Sequence, residues 1–421
     1  MTPRPLAVPS RVITDLSHGR GTSEACDLLL RAQHSKHLLL LGLVLEEAVR
    51  RRHPQAAATR DAYDLITAVE RAAPDAAARV VRYPAVGAWA VRTLWHLRRG
   101  DPPERCGGAQ PRRMAALAAG AALLGEVELA VDLPAGSGVI HLPGVGRLTL
   151  PRARTARLRI RPGGGVEARG RSAQVSRVWP LDAPPGVLLD DLDPFRFPPG
   201  ARLARRLTPG RLAGWTGPLT AGWNLLLAHH LAVAAEVGRL VSVLVPLAPA
   251  GRRMRSASSR ACFGGIALSR PPGALDAALT LAHEVQHVKL SALIDLFPLV
   301  APDTGERYYA PWRADPRPLR GLLHGTYAFM GVAAFWERQR HLDPRPSAHV
   351  QFARWREAAA ETVPVLLGSG RLTELGRTFV AGMGDRLAEL AKESVPPHAV
   401  TLARRAALRH RTRWLREHAG G

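Results

Sequence analysis

Apolar positions recur every three to four residues over most of the chain, and the period changes to two in one central stretch. Residues 23–125 read as helices. Ser23-Glu-Ala-Cys-Asp supplies a capping residue and early acids, and the first helix runs on to Arg50-Arg51-Arg52, a solvated end. Further helices are expected near 60–71, 84–98 and 111–124, with breaks at Pro74, Pro84 and the stretch 100–111. From Glu126 short alternating segments lie between Gly/Pro turns, at 127–132, 138–143, 146–150, 156–160 and 176–179. They predict a small antiparallel sheet, with His141 as a structural residue in one strand.

Helix returns over 208–238, with Trp215 and Trp223 as core aromatics. Two strands follow, over 240–247 and 261–269, then a helix over about 272–295 with no Gly or Pro from Ala274 onward. Another helix is expected over 318–339. The helical stretch 347–417 is split at Gly368-Ser-Gly and at Pro396-Pro397. The fold class is therefore α+β, predominantly helical. Four regions follow: a helical N-terminal region (1–125), a small antiparallel β region (126–200), a catalytic core (201–345) and a helical C-terminal region (346–421).

A chain of 421 residues, 46% hydrophobic, can bury a sizeable core. Its net charge of +23, carried mostly by arginine, favours an acidic partner such as a peptide or a carboxylate cosubstrate. No zinc-finger spacing or aromatic-interleaved basic motif points to nucleic acid. Cys26, Cys106 and Cys262 form no CxxC pair, which argues against a disulfide framework and fits a reducing cytoplasm. No signal-peptide core is seen at the N-terminus, and the longest apolar run, 38–45, is too short to span a bilayer.

The chemistry concentrates in Leu281-Ala-His-Glu-Val-Gln-His-Val-Lys-Leu290. On a helix His283 and His287 leave the same face one turn apart, the spacing at which two imidazoles close on one divalent metal. Glu284 is rotated by about 100° from His283, so it suits a base or supporting group better than a ligand. The adjacent His229-His230 pair diverges and makes a poor clamp. The acids of Leu189-Asp-Asp-Leu-Asp-Pro-Phe-Arg196 read as turn and capping residues.

A third ligand is expected at His324. With Arg320 at i−4 and Arg317 at i−7, it would share one stripe if the helix begins by Arg317. A nitrogen ligand beside two guanidinium groups makes sense when an anion lies between cation and metal, as a chelating carboxylate cosubstrate would. Glu306 or Asp315 remains open as an alternative ligand, in keeping with the common two-His-one-carboxylate triad.

These residues resemble a known family. His283-Glu-Val-Gln-His287, the segment Tyr308-Tyr-Ala-Pro-Trp-Arg-Ala-Asp-Pro-Arg-Pro-Leu-Arg-Gly-Leu-Leu-His324, Tyr83-Pro-Ala-Val-Gly-Ala-Trp89 and the turn His141-Leu-Pro-Gly-Val-Gly146 are similar to the HExxH-type peptide β-hydroxylases, tailoring enzymes of ribosomally made peptides. The resemblance covers about residues 20–400. It implies Fe(II)-, 2-oxoglutarate- and O2-dependent hydroxylation of a side-chain β-carbon in a precursor peptide. It further implies iron on His283, His287 and His324, with Arg313, Arg317 or Arg320 on the cosubstrate carboxylate. The alternative class is a zinc metallopeptidase with Glu284 as general base. Leu290 and Leu293 stand where a metzincin needs Gly and His, and Glu337 is the nearest weak candidate for a downstream glutamate ligand.

Overall fold

The computed structural model describes residues 7–151, 153–168, 170–249 and 254–418. Among them are thirteen α-helices and twelve short strands, an α+β fold in which helix predominates. The helices are α1 (Ser10–Ser17), α2 (Ser23–Arg50), α3 (Ala56–Ala72), α4 (Pro74–Val81), α5 (Pro84–Arg99), α6 (Met114–Leu124), α7 (Pro209–His229), α8 (Leu231–Leu240), α9 (Ala274–Leu296), α10 (Leu319–Gln339), α11 (Pro346–Gly368), α12 (Glu374–Ala391) and α13 (Pro397–His418). None of the described helices is long and apolar enough to cross a membrane.

Contacts gather the chain into two compact units, each built from non-consecutive segments, where the sequence divides into four consecutive stretches. One unit comprises residues 1–29, 217–240 and 271–421. Among the described residues its regular elements are helices and isolated bridges, and α9 packs against α8 and α10, with α11 to α13 beyond α10. Proline marks its helix starts as expected, since a residue whose φ is already near helical values and whose N–H is missing fits the first turn. Thus α11 opens at Pro346 and α13 at Pro397.

The other unit comprises residues 30–216 and 241–270. The single antiparallel sheet expected over 126–200 is two. One has the order β1 (Leu129–Ala135), β4 (Ala153–Ile160), β5 (Val166–Ala168), β6 (Arg171–Ser172); the other runs β2 (Val139–Leu142), β3 (Gly146–Thr149), β7 (Val175–Arg177). Both are antiparallel throughout. Along β1 buried and outward positions alternate, so each sheet offers one apolar face. Residues of α6, nearly all buried, join that core. A third sheet places β10 (Val243–Pro246) parallel to both β9 (Leu188–Leu189) and β12 (Gly265–Leu268), with β8 (Trp179–Pro180) and β11 (Ser256–Ser258) on its edges. Every residue of β10 and β12 is buried, which explains their unbroken apolar runs.

Two helices go unmarked by the periodic reading. Pro74 breaks α3 as expected but also begins α4, and α1 is only 8 residues long. The acids at 190–193 do cap a turn. The Asp190 carboxylate accepts from the Leu192 and Asp193 amides and from the Tyr83 hydroxyl, and Asp193 accepts from Arg113.

The end of α2 carries a pH-dependent contact. Glu47 accepts hydrogen bonds from Arg50 and Arg51, which hold its carboxyl down to about 2, below the ordinary carboxylate value. A carboxyl depressed in the fold stabilises it above the unfolded value near 4.5, and that contribution fades as pH falls toward 2. Glu47→Gln is therefore expected to cost about 1 kcal/mol at pH 7, allowing for solvent screening, with the gap narrowed to roughly half at pH 3 and closing only below pH 2. Thermal melts at the two pH values measure it, and an equal gap at both would refute the assignment.

Candidate metal centre

Helix α9 presents its two histidines as the spacing predicts. The segment has no helix breaker, and thirteen of its residues are buried, so packing fixes its rotation. His283 Nε2 lies 3.2 Å from His287 Nε2, with the rings edge to face. Two nitrogens bound to one ion at about 2.1 Å, roughly 90–109° apart, lie about 3.0–3.4 Å from each other. The pair is thus set at the bite of a shared metal. Burial pushes both imidazoles down to about 4, and His287 adds to the effect on His283. Both rings are neutral at pH 7, the form that ligates metal.

Glu284 is buried, with its Oε1 4.0 Å from His283 Nε2 and its Oε2 without a hydrogen-bond partner. A buried carboxylate oxygen in that state is costly. An ordered or metal-bound water beside the histidines would relieve it.

His324 stands on α10, its ring 5.9 Å from that of His287. The other two candidates for third ligand have local partners: Glu306 accepts from the Tyr308 hydroxyl, and Asp315 accepts from Arg313 and Arg317. Among the described residues, no three His, Cys, Asp or Glu side chains converge closely enough to enclose an ion. The donor chemistry and the spacing of His283 and His287 nevertheless fit a divalent metal, with His324 the next nitrogen at hand.

The arginine stripe is shorter than expected. Helix α10 starts at Leu319, so Arg317 precedes it and does not share the helical face of Arg320 and His324. Its backbone pairs with Tyr308, and its guanidinium lies against Gly321 and binds Asp315. Arg313 binds the same carboxylate from the other side. Arg320 keeps the expected place, exposed on the first turn of α10 and one turn before His324.

Periodicity gave no warning of the aromatic wall next to the histidines. Phe329 meets His283 edge to face at 5.1 Å and packs between Trp312 at 4.9 Å and Trp355 at 4.5 Å. Gly325 makes room for it, since a Cβ there would lie 2.4 Å from the Trp312 indole. All three aromatics are half-buried. Trp312 lies in the Ala-Pro-Trp stretch noted above, but its partner is a full α10 turn beyond His324, a contact no spacing within one element reveals. No protein family matches the chain, and no curated protein does.

Proposed function

We propose that the chain is a metal-dependent enzyme that hydroxylates a side-chain β-carbon of a ribosomally made precursor peptide, with Fe(II), 2-oxoglutarate and O2. The observation that supports it is the pair of neutral imidazoles, His283 and His287, with Nε2 atoms 3.2 Å apart on one face of α9. In this reading His283, His287 and His324 hold the iron. Iron with 2-oxoglutarate supplies the oxidising chemistry; the protein supplies binding, orientation and shielding. Arg320, on the helix that carries His324, is the guanidinium assigned to the cosubstrate carboxylate. Arg313 and Arg317 instead order the loop through Asp315. Phe329, Trp312 and Trp355 form an apolar wall beside His283 that limits water and gives a substrate side chain a surface to pack on.

Metal analysis of anaerobically prepared protein, followed by succinate formation from 2-oxoglutarate with candidate peptides, tests the proposal. Zinc retention with no succinate would overturn it. Arg320→Lys, which keeps charge but loses the two-pronged fork, is expected to raise the apparent KM for 2-oxoglutarate at least tenfold with metal content unchanged. The same change at Arg313 or Arg317 should have a smaller effect. Equal KM values for wild type and Arg320→Lys would move the anion site elsewhere.

A second reading, a zinc peptidase, draws on the orphan Glu284 Oε2. A carboxylate with a free buried oxygen beside two metal-ligating histidines suits a general base acting on a bound water. Glu284→Gln separates the two. Under the oxidative reading activity falls while loaded protein still consumes 2-oxoglutarate. Under the hydrolytic reading wild type cleaves peptide and the variant does not.

A further inference from the structure

The aromatic wall beside His283 ends on a cation. Trp355 packs on Phe329 at 4.5 Å, and the Arg354 guanidinium lies over the Trp355 ring, 4.4 Å from its centre. The indole is held in place: its N–H donates to the Gln351 side chain at 2.8 Å, one turn back on α11. A guanidinium stacked on a held ring has its plane set, while its N–H edges stay open to fork onto a carboxylate. Those edges meet no acceptor among the described residues, and no described carboxylate pairs with Arg354. Glu357 and Glu361, on the following turns of α11, instead face Arg404 at 3.8 Å and Arg411 at 3.9 Å.

Arg354 is half-buried, and that burial holds its pKa below the ordinary guanidinium value. The described group that opposes the shift is Tyr309, whose own hydroxyl is pushed up to about 12 by burial and is therefore neutral at pH 7. Arg340, lowered in the same way, has Glu393 and the Ser394 carbonyl as partners. Water can meet the open N–H groups of Arg354 but brings no counter-charge, and a cation partly withdrawn from solvent favours an anion that does. Phe329 and Trp355 link His283 to Arg354 through successive contacts of 5.1, 4.5 and 4.4 Å. Such a carboxylate therefore belongs to a chain laid along the wall rather than to a cosubstrate chelated at the histidines. At about 3.3 Å per residue, an extended peptide covers those contacts in roughly two to four residues.

We propose that Arg354 binds an acidic side chain of the peptide substrate, and so selects a sequence with Glu or Asp roughly two to four positions from the residue presented to His283 and His287. The assignment rests on the peptide reading of the site, but not on which metal or cosubstrate the histidines take. The test is a fluorescence-anisotropy titration of the full chain into a labelled, end-blocked heptapeptide of alanines with one Leu and, three residues on, one Glu. The same peptide with Gln for Glu is the comparison. Wild type should bind the Glu peptide at least about tenfold more tightly. Arg354→Gln should abolish that preference and leave the Gln peptide within twofold of wild type. Arg354→Lys, which keeps the charge but loses the fork, should retain only part of it. Arg79→Gln, at an exposed position of the other unit, should keep all of it. Failure of wild type to bind or to prefer the Glu peptide overturns the proposal, as does a preference that survives in Arg354→Gln. An equal loss of both peptides in Arg354→Gln would make Arg354 only the cap of the ring stack, and an equal loss of preference in Arg79→Gln would mark general charge attraction; either overturns it too. Titration of 2-oxoglutarate into Fe(II)-loaded anaerobic protein should give the same affinity for wild type and Arg354→Gln, and a tenfold loss there would hand the guanidinium to the cosubstrate. Wild type that prefers the Glu peptide yet forms no succinate would overturn the hydroxylase reading and leave Arg354 in its assigned role.

Discussion

His287→Ala is expected to lose metal binding by more than about 100-fold while α9 stays helical. Residues that merely orient metal ligands already contribute about 10- to 100-fold, so a ligand itself should exceed that range. The helix should survive, because alanine has the highest helix propensity and His287 is one half-buried residue among many fully buried neighbours. His283→Ala should behave alike, since the two Nε2 atoms share one bite. His324→Ala should weaken binding less, because its ring stands 5.9 Å from that of His287, farther than the 4.9 Å between the rings of His283 and His287. His229→Ala, a half-buried position at the end of α7, serves as control and should load fully. Metal content after anaerobic Fe(II) loading, with far-ultraviolet circular dichroism on the same samples, provides the measurement. Full occupancy in either His283→Ala or His287→Ala would sink the assignment of this centre.

Lys289→Met should produce the largest loss of stability. Lys289 sits two residues past His287, and its side chain is 0% exposed. Its ammonium donates to Glu236 Oε2 at 2.7 Å and to the Gly19 carbonyl at 2.6 Å, and lies 6.0 Å from the centre of the Tyr327 ring. Glu236 also accepts from the Gly21 amide. The pair therefore ties α9 to α8 and to the turn before α2. Removing the lysine leaves a buried carboxylate with one neutral donor, a change that costs about 3–5 kcal/mol. The double variant Lys289→Met with Glu236→Gln should recover most of the loss, since the uncompensated charge is gone. Urea unfolding read at 222 nm measures both. If Lys289→Met lay within 1 kcal/mol of wild type, the pair would not be the tie proposed. Where the variant does fold, a lower metal affinity is expected as well, because the rotation of α9 sets the aim of its histidines.

The sequence by itself determined the helices that carry the candidate site and the shared face of His283 and His287. Both follow from local rules: a run without breakers forms a helix, and i, i+4 neighbours face the same way. The helix breaks at 368–370 and 396–397 were legible for the same reason, as proline and glycine act within a turn or two of their own position. The strands of the β region were legible too, but not their division into two sheets, since pairing joins residues such as Leu129 and Ile160 that alternation cannot relate. Arg317 was misplaced because one residue of helix start decides a stripe, and Pro318 takes the capping position rather than a place in the helix. Only the tertiary structure brought Phe329, packed on Trp312, beside His283, let Gln286 lie on Gly331, and buried Lys289 against Glu236. Those contacts depend on how separate helices pack, and packing is set by the summed shape of many side chains rather than by the period of any one segment.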